Sequence, residues 1–242
     1  MRRVSVPVQT EEDSGNRLLA ACSALERARV APLLRSIELD AGYTLATAGE
    51  SPTQILFPGA ALISHVTEMQ DGATVEVGMV GSEGISDLSV LFGDVTTSLS
   101  RTVVQVGGPA QAMRAADFRR CVVDVRGELF DRVNRYANAF LGCLALVAGC
   151  NTRHDTRQRV ARWLLMVHDR VGRDEFALTH EYIASMMGVR RASVTLVMGA
   201  LREAGAVEYA YGTMHVIDRA ALEREACACY SDLRALFETA VS

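Results

Sequence analysis

Lysine is absent from this chain of 242 residues, and its charge balance is acidic. All 25 basic residues are arginine, against 29 acidic residues, and the formal net charge is −4. A protein that coats nucleic acid regardless of sequence needs a strongly basic surface, so the charge excludes that class. Each arginine carries a planar guanidinium that can form paired hydrogen bonds. Any contact with nucleic acid is therefore expected to be local and made by a few oriented arginines.

The chain also has no long apolar run and no recognisable catalytic motif. No apolar stretch reaches the length of a membrane span, and residues 1–14 do not have the apolar core of a signal peptide. We therefore expect a cytoplasmic protein with no membrane partner. The motifs G-x-S-x-G and H-E-x-x-H are missing, and no carboxylate pair stands in a motif context. This predicts no catalytic residue and no enzyme activity.

Six cysteines are present, and none of them belongs to a C-x-x-C pair. They are Cys22, Cys121, Cys143, Cys150, Cys227 and Cys229. Because the N-terminal region holds Cys22 alone, an iron–sulfur cluster held by N-terminal cysteines is excluded. Cys227 and Cys229 flank Ala228 in a helical pattern, so their side chains are expected to point about 200° apart and not to converge on a metal. We therefore expect no metal and no cofactor, and buried apolar positions for most of the six.

The most informative stretch is residues 178–207, which predicts a helix, a tight turn and a second helix. Thr179 is a suitable N-cap, and Gly188 can adopt the positive φ that ends the first helix at a sharp corner. The second helix is expected to begin near Arg191 and to bury one apolar stripe: Val194, Val197 and Leu201. A helix-turn-helix that reads DNA presents the opposite face. The competing interpretation is an ordinary helical hairpin in a core.

This stretch resembles the DNA-binding end of the Crp/Fnr superfamily of bacterial transcription regulators. The matching residues are Thr179, Ile183, Ala184, Gly188, Arg190, Arg191, Ser193, Val194, Leu201, Gly205 and Val207. Residues 209–217, in which two short β runs flank Gly212, look like the wing of a winged helix, and the segment after them resembles the closing helix of a subgroup of these regulators.

The resemblance implies double-stranded DNA as the partner and gives the candidate DNA-binding residues their roles. They are Thr179, Arg190, Arg191, Ser193, Thr195 and Leu196. Arg191 is expected to read a guanine, and Arg190, Thr179 and Ser193 to hold phosphates. The family usually has an acidic residue where Ala192 stands and an arginine where Leu196 stands. The operator is therefore expected to depart from the family's consensus, with Leu196 near a thymine methyl.

Length and composition fit two domains, and the first has a β pattern. The apolar content of 49% is sufficient for two cores. Residues 37–118 form short β-rich runs separated by Gly, Pro and Asp, with a hairpin signal at Asp71-Gly72. The resemblance implies an α+β chain with three parts: a double-stranded β-helix or jelly roll of the cyclic-nucleotide-binding type over residues 15–125, a dimerisation helix over 126–152, and a winged helix-turn-helix over 153–242.

The segment of this chain that corresponds to the family's ligand site differs from the family's pattern. Arg101 and Thr102 occupy the positions of its phosphate-binding pair, whereas Asp87 matches the ribose-binding carboxylate only with a one-residue shift. Tyr136 is a further candidate for lining the cavity. In the competing interpretation Arg101 pairs with a carboxylate of its own chain: Glu83, Asp87 or Asp94. The effector, if there is one, is unknown.

A coiled-coil pattern follows, with apolar residues at alternating spacings of four and three. Its members are Leu129, Val133, Tyr136, Phe140, Cys143, Val147 and Cys150. The family's dimer axis lies here, so we expect a parallel homodimer whose recognition helices lie about 34 Å apart on an inverted-repeat operator. In the alternative, this stripe packs on the β-roll of its own chain.

Three functional alternatives stay open. The first is a DNA-binding regulator with an unknown effector, and the second is a regulator that responds to a cyclic nucleotide through Arg101 and Thr102. In the third, Cys143 and Cys150 cross-link two subunits and act as a thiol switch. Activation would require contacts with RNA polymerase, for which the sequence identifies no surface.

Overall fold

The computed structural model describes residues 15–92 and 97–242. The described chain begins with two short helices, α1 (Arg17–Ala20) and α2 (Ala24–Val30), whose N-termini are capped by Asn16 and Ser23. The Asn16 side chain is buried and also donates to the carbonyls of Pro58 and Gly84, at 2.9 and 3.0 Å. One polar side chain therefore fixes the helical entry to the β-domain.

Within the described residues, seven strands form the N-terminal jelly roll. They are β1 (Arg35–Leu39), β2 (Thr44–Ala46), β3 (Gln54–Pro58), β4 (Leu62–Glu68), β5 (Thr74–Val80), β6 (Arg101–Val106) and β7 (Gly108–Arg114). One sheet has the order β1-β7-β3 and the other β2-β6-β4-β5. Antiparallel pairing places Ile37 opposite Ala110 and Leu56 opposite Ala112. The predicted jelly roll is confirmed, as is the hairpin turn, where Gly72 has a φ of 80°.

The core of this domain lies between the sheets and the helix that follows β7. Phe57 and Phe118 are fully buried, with ring centroids 6.2 Å apart, and Phe118 ends the short helix α3 (Ala115–Phe118). A π-helical turn over Arg119–Val123 leads towards the long helix α4 (Glu128–Arg153). The apolar residues of β3 and β7 thus provide the surface on which α3 packs.

The predicted dimer stripe on α4 is buried within the single chain. Leu129, Val133 and Tyr136 have no exposed surface, and Phe140, Cys143 and Cys150 are also buried. Val147 is half-buried. A side chain that its own chain already covers offers little area to a second helix, so the burial of these six residues favours packing within the chain. These six residues pack within their own chain, as in the alternative interpretation.

The C-terminal part is a winged helix-turn-helix. Its elements are α5 (Thr156–Val171), β8 (Glu175–Ala177), α6 (His180–Met187), α7 (Arg191–Glu203), β9 (Val207–Ala210), β10 (Thr213–Val216), α8 (Arg219–Glu225) and α9 (Cys229–Val241). The strands have the order β8-β10-β9. Trp163 is buried, and its indole N–H donates to Glu76 at 2.7 Å. The expected wing and closing helix are confirmed, with one difference in the closing segment.

That segment is not one continuous helix. α8 ends at Glu225 and α9 begins at Cys229, so Cys227 lies in the break between them. The helical angle that separated Cys227 from Cys229 therefore does not apply. The prediction that these two side chains diverge is wrong, because the backbone turns between them.

Contacts divide the chain into two compact units. Of the described residues, the first unit contains 15–65, 78–92, 97–141 and 237–242, and the second contains 66–77 and 142–236. The predicted boundaries at 125/126 and 152/153 do not coincide with this division, which falls inside α4. In the part of the chain that the structure describes, no helix combines the length and apolar composition that a membrane crossing requires.

Candidate nucleic-acid interface and a cysteine–histidine cluster

The corner between α6 and α7 is built by local residue chemistry. The Thr179 hydroxyl accepts from the backbone N–H of Tyr182 at 3.1 Å and caps α6. Gly188 has a φ of 62° and ends α6, and the N–H of Val189 then donates to the Ala184 carbonyl at 3.0 Å. A residue with a side chain is strained at such a φ, which explains the glycine. The predicted helix, turn and helix are confirmed.

Helix α7 has one buried and one exposed face. Val194, Val197 and Leu201 are buried, as predicted. Most of the candidate DNA-binding residues are exposed, namely Thr179, Arg190, Arg191, Thr195 and Leu196, whereas Ser193 is half-buried. Leu196 is 77% exposed, which fits an apolar contact with a partner. The first backbone N–H groups of a helix have no partner within it and favour phosphate, and α7 begins on this exposed side.

The two arginines at the start of α7 are accessible. Arg190 is the N-cap residue of α7, and its side chain makes no capping hydrogen bond. Arg191 Nε lies 3.7 Å from Glu181 Oε2, and both side chains are exposed. An exposed ion pair of this kind contributes little and is screened by salt, so DNA can displace it. Both guanidiniums can therefore reach a nucleic acid.

Thr195 differs from its exposed neighbours on α7 because its hydroxyl contacts other groups of the same domain. It donates to the Arg191 carbonyl at 3.1 Å and lies 3.2 Å from His180 Nδ1. The His180 ring stacks on Tyr209 of the wing, with centroids 4.3 Å apart. Burial, with a contribution from Arg191, lowers the pKa of His180. Sequence patterns do not reveal this contact between α7, α6 and β9, since its members are far apart in the chain.

The wing tip carries an aromatic residue that the sequence analysis did not select. Tyr211 and Gly212 form the two-residue turn between β9 and β10, with φ values of 51° and 82°. Positive φ at both positions is typical of a type I′ hairpin turn. The Tyr211 ring is fully exposed. The turn could be recognised from Gly212, but the exposure of Tyr211 could not.

The shared phosphate site of the predicted ligand residues stays a prediction. Arg101 and Thr102 are the first two residues of β6, where Arg101 is half-buried and Thr102 is buried. Asp87 accepts hydrogen bonds on both oxygens, from the Ser89 N–H at 2.8 Å and from the Ser98 hydroxyl. These two bonds tie the carboxylate to its own loop.

The alternative pairing of Arg101 with a carboxylate of its own chain stays a prediction. Arg101 Nε has no hydrogen-bond partner within residues 15–92 and 97–242. Asp94, one of the three candidate carboxylates, lies outside the described residues.

Tyr136 is a fully buried core residue. Its ring lies between Phe140 and Phe237, with centroids 6.0 and 6.1 Å away. The ring also approaches the backbone so closely that a Cβ added to Gly84 would lie 2.2 Å from Tyr136 Cζ. These contacts give Tyr136 a role in packing, and its role as a ligand contact stays a prediction.

Four potential metal ligands of the described chain converge elsewhere in the C-terminal part. Cys150 Sγ lies 3.5 Å from Cys227 Sγ and 3.4 Å from His154 Nδ1, and Cys229 Sγ lies 3.6 Å from the same nitrogen. All four ligand atoms lie within 4.8 Å of one another. Burial, with the neighbouring Cys150 thiol next, raises the pKa of Cys227 to about 12. The sequence pattern does not reveal this cluster, because it predicts Cys227 and Cys229 on one helix, where their side chains would diverge.

A family model matches the C-terminal part of the chain. Residues 158–225 match the Crp-like helix-turn-helix domain, a span that contains most of α5, both helices of the corner, the wing and α8. A curated relative, the transcriptional regulator LdrP of Thermus thermophilus, is 38% identical over 78 residues. The match covers 30% of this chain and 40% of LdrP, less than half of that relative.

Solved structures share the fold over most of the chain. A CRP-family transcriptional regulator from Thermus thermophilus is 24% identical, with 78% of this chain and 95% of that chain covered and a TM-score of 0.64. The c-di-GMP-responsive global regulator CLP of Xanthomonas campestris is 13% identical, with 81% and 100% covered and a TM-score of 0.64. The resemblance of residues 158–225 to the Crp-like helix-turn-helix domain is therefore confirmed, and the solved structures show that the fold is shared over most of the chain.

Proposed function

We propose that this chain, which carries a Crp-like helix-turn-helix domain on a Crp/Fnr-type fold, is a bacterial transcription regulator that binds DNA sequence-specifically. The observation that carries the proposal is the exposed N-terminal turn of α7, where Arg190 and Arg191 stand beside a capped helix corner. The net charge of −4 fits a reader with a few oriented contacts. A regulator of this kind works beside the chromosome, in the cytoplasm.

The proposed recognition follows from the geometry of α7. Arg191 reads a guanine through O6 and N7, the commonest specific contact in the major groove. Arg190, Thr179 and Ser193 hold phosphates and set the register of the helix. Leu196 contacts a thymine methyl. Thr195 acts indirectly, because its hydroxyl positions His180 under the wing.

We propose a homodimer through the exposed side of α4. Five of the exposed residues of α4 recur at spacings of four and three, as in a coiled-coil seam. They are Asn134, Asn138, Leu141, Ala145 and Ala148. Leu141 is 57% exposed, and the two alanines allow close approach of a second helix. A two-fold axis along α4 would present two recognition helices to an inverted repeat.

The proposed regulator does not depend on the cyclic-nucleotide pair. This independence from a cyclic nucleotide is supported by Asp87, whose two carboxylate oxygens already accept hydrogen bonds within its own loop. The thiol switch between Cys143 and Cys150 has no support either, because both thiols are buried in their own chain. The identity of the effector stays open. If the protein activates transcription, contacts with RNA polymerase are expected, and these stay a prediction.

The test is a binding titration by fluorescence anisotropy at fixed salt, with fragments of the protein's own upstream region and with random DNA, with and without cyclic AMP and cyclic GMP. Arg191→Ala is expected to weaken specific binding by about 1–3 kcal/mol and to leave random DNA unaffected. Arg190→Ala should weaken both. The matched control is Arg202→Ala, an exposed arginine at the other end of α7.

Equal losses on specific and random DNA for Arg191→Ala would contradict direct readout by this residue. Specific binding that appears only with a cyclic nucleotide would restore the second alternative. The absence of any preference for the upstream fragments over random DNA would argue against control of the adjacent genes.

A further inference from the structure

The cysteine–histidine cluster brings together residues from the end of α4 and from the region where α8 gives way to α9. Cys150 and His154 stand one helical turn apart where α4 ends, and the His154 N–H still donates to the Cys150 carbonyl at 3.0 Å. Cys227 lies in the break between α8 and α9, and Cys229 begins α9. The three thiols are buried, and the imidazole is half-buried. This arrangement has no role in the proposed DNA contacts.

We propose that Cys150, His154, Cys227 and Cys229 bind one zinc ion in a closed site of three thiolates and one imidazole. Tetrahedral zinc has Zn–S bonds of about 2.3 Å and Zn–N bonds of about 2.0–2.1 Å. This geometry requires S–S separations of about 3.8 Å and S–N separations of about 3.6 Å. The observed 3.5 Å between sulfurs and 3.4 and 3.6 Å from sulfur to nitrogen fit it.

Other chemistries fit these distances less well. A disulfide needs sulfurs about 2.05 Å apart, and all described cysteines are free. An iron–sulfur cluster places its own iron and sulfide atoms between the protein ligands, which must then stand farther apart than the 4.8 Å observed here. A single ion with nitrogen and sulfur ligands remains, and zinc is the metal typical of closed tetrahedral sites of this composition.

The charge around the cluster also favours a metal centre. Three thiolates and a neutral imidazole around Zn²⁺ carry a net charge of −1. Arg162 is buried nearby, at 2% exposure, and acts electrostatically on Cys229. Its Nη1 donates to the weak acceptor Met166 Sδ at 3.2 Å, and its Nε has no hydrogen-bond partner among the described residues. A buried cation is costly unless a counter-charge lies near it, and the anionic centre would supply one.

The competing interpretation is a small apolar core made of thiols. Leu146 packs against Cys150, Cys227 and Cys229, which fits it in part. It does not explain His154, whose Nδ1 lies close to two of the sulfurs. A closed site leaves no open position for a substrate, so the metal's role is structural: it fastens the start of α9 to the end of α4.

The first test is the metal content of the full-length protein, purified without chelators and without a histidine tag and measured by plasma mass spectrometry. We expect about one zinc per chain. Cys227→Ser and Cys229→Ser should lose most of it, while Cys22→Ser, which changes a buried cysteine outside the cluster, should keep it. Circular dichroism shows whether each variant folds.

The second test uses the wild-type chain and does not depend on a variant folding. Zinc is removed with a chelator under reducing conditions, and Co²⁺ is titrated in. The strong visible d–d absorption of tetrahedral thiolate-bound cobalt is expected to saturate at one equivalent and to be reversed by Zn²⁺. The melting temperature should fall on zinc removal and recover on its return.

Three results would overturn the proposal. One is a wild-type protein that neither contains zinc nor gives the tetrahedral cobalt spectrum. Another is iron together with acid-labile sulfide in stoichiometric amounts, which would replace the single ion by a cluster. The last is an equal loss of zinc in Cys22→Ser and Cys229→Ser, which would place the metal elsewhere.

Discussion

At the scale of single residues, His65 shows how burial sets a protonation state. The ring is buried in the jelly roll, with Nδ1 3.0 Å from the Ser100 hydroxyl and an edge contact to Phe140 at 5.3 Å. Burial lowers the pKa of His65 to about 4, against a smaller opposing effect of Asp87. The folded protein therefore holds this imidazole neutral at pH values where an unfolded chain would protonate it.

We expect the free energy of unfolding to decrease between pH 6.5 and about 4 because of this residue. The unfolded state takes up a proton that the folded state excludes, so the contribution of neutral His65 is complete above the unfolded pKa and is lost as the pH falls towards the folded pKa. Its size is about 3 kcal/mol. Urea unfolding at several pH values measures it, and His65→Gln should lose that part of the slope. Parallel pH profiles for the two proteins would show the inference to be wrong.

Gly84 is fixed by close packing against Tyr136. Because an added Cβ would lie 2.2–2.5 Å from three atoms of that buried ring, Gly84→Ala is expected to destabilise the fold by about 1–3 kcal/mol. The matched control is Gly199→Ala in α7, where the new methyl meets nothing within 4 Å. That change should stabilise the helix by about 0.5–1 kcal/mol. Urea denaturation compares the two, and equal effects would refute the packing argument.

At the scale of elements, local signals were the reliable ones. Thr179 and Gly188 fixed the limits of α6 because caps act within three or four residues of the backbone they serve. The period of α4 was also predicted correctly, but periodicity does not tell which surface covers the stripe. The apolar residues that form the predicted seam are covered by their own chain. The exposed stripe contains Leu141, Ala145 and Ala148, and it has too few large apolar residues to be recognised as a seam in the sequence.

The break between α8 and α9 shows where local signals fail. Residues 226–228 contain neither glycine nor proline, and the helical apolar pattern runs through them. Tertiary contacts decide the turn: Cys227 is drawn to Cys150, 77 residues away in the chain. The contact of His180, Thr195 and Tyr209 was missed for the same reason. A site whose residues come from distant segments produces no periodic pattern in the sequence.

At the scale of the whole molecule, the proposed dimer predicts a coupling between assembly and DNA binding. Leu141→Arg places a charge in the proposed seam, so the dissociation constant of the dimer should rise about ten-fold or more. Affinity for an inverted repeat should fall with it. The matched control is Leu25→Arg, an equally drastic change at a leucine that is 83% exposed elsewhere. Light scattering and anisotropy together measure both effects.

A wild-type protein that stays monomeric at micromolar concentration would remove the two-fold model. A dimer unaffected by Leu141→Arg would leave the two-fold operator but place the interface on another surface. Loss of dimer in both variants would point to general destabilisation instead.

The meeting of Cys150 with Cys227 has a consequence for how this architecture can change over evolutionary time. The segment between them contains α5, both helices of the corner and the wing, and it enters and leaves at nearly the same point. Domains with adjacent ends tolerate transfer and insertion better than those whose ends lie far apart. The ends of this segment therefore favour its transfer by recombination, but residues 66–77 belong to the same compact unit, so the bond from Trp163 to Glu76 would have to be re-formed with the new chain.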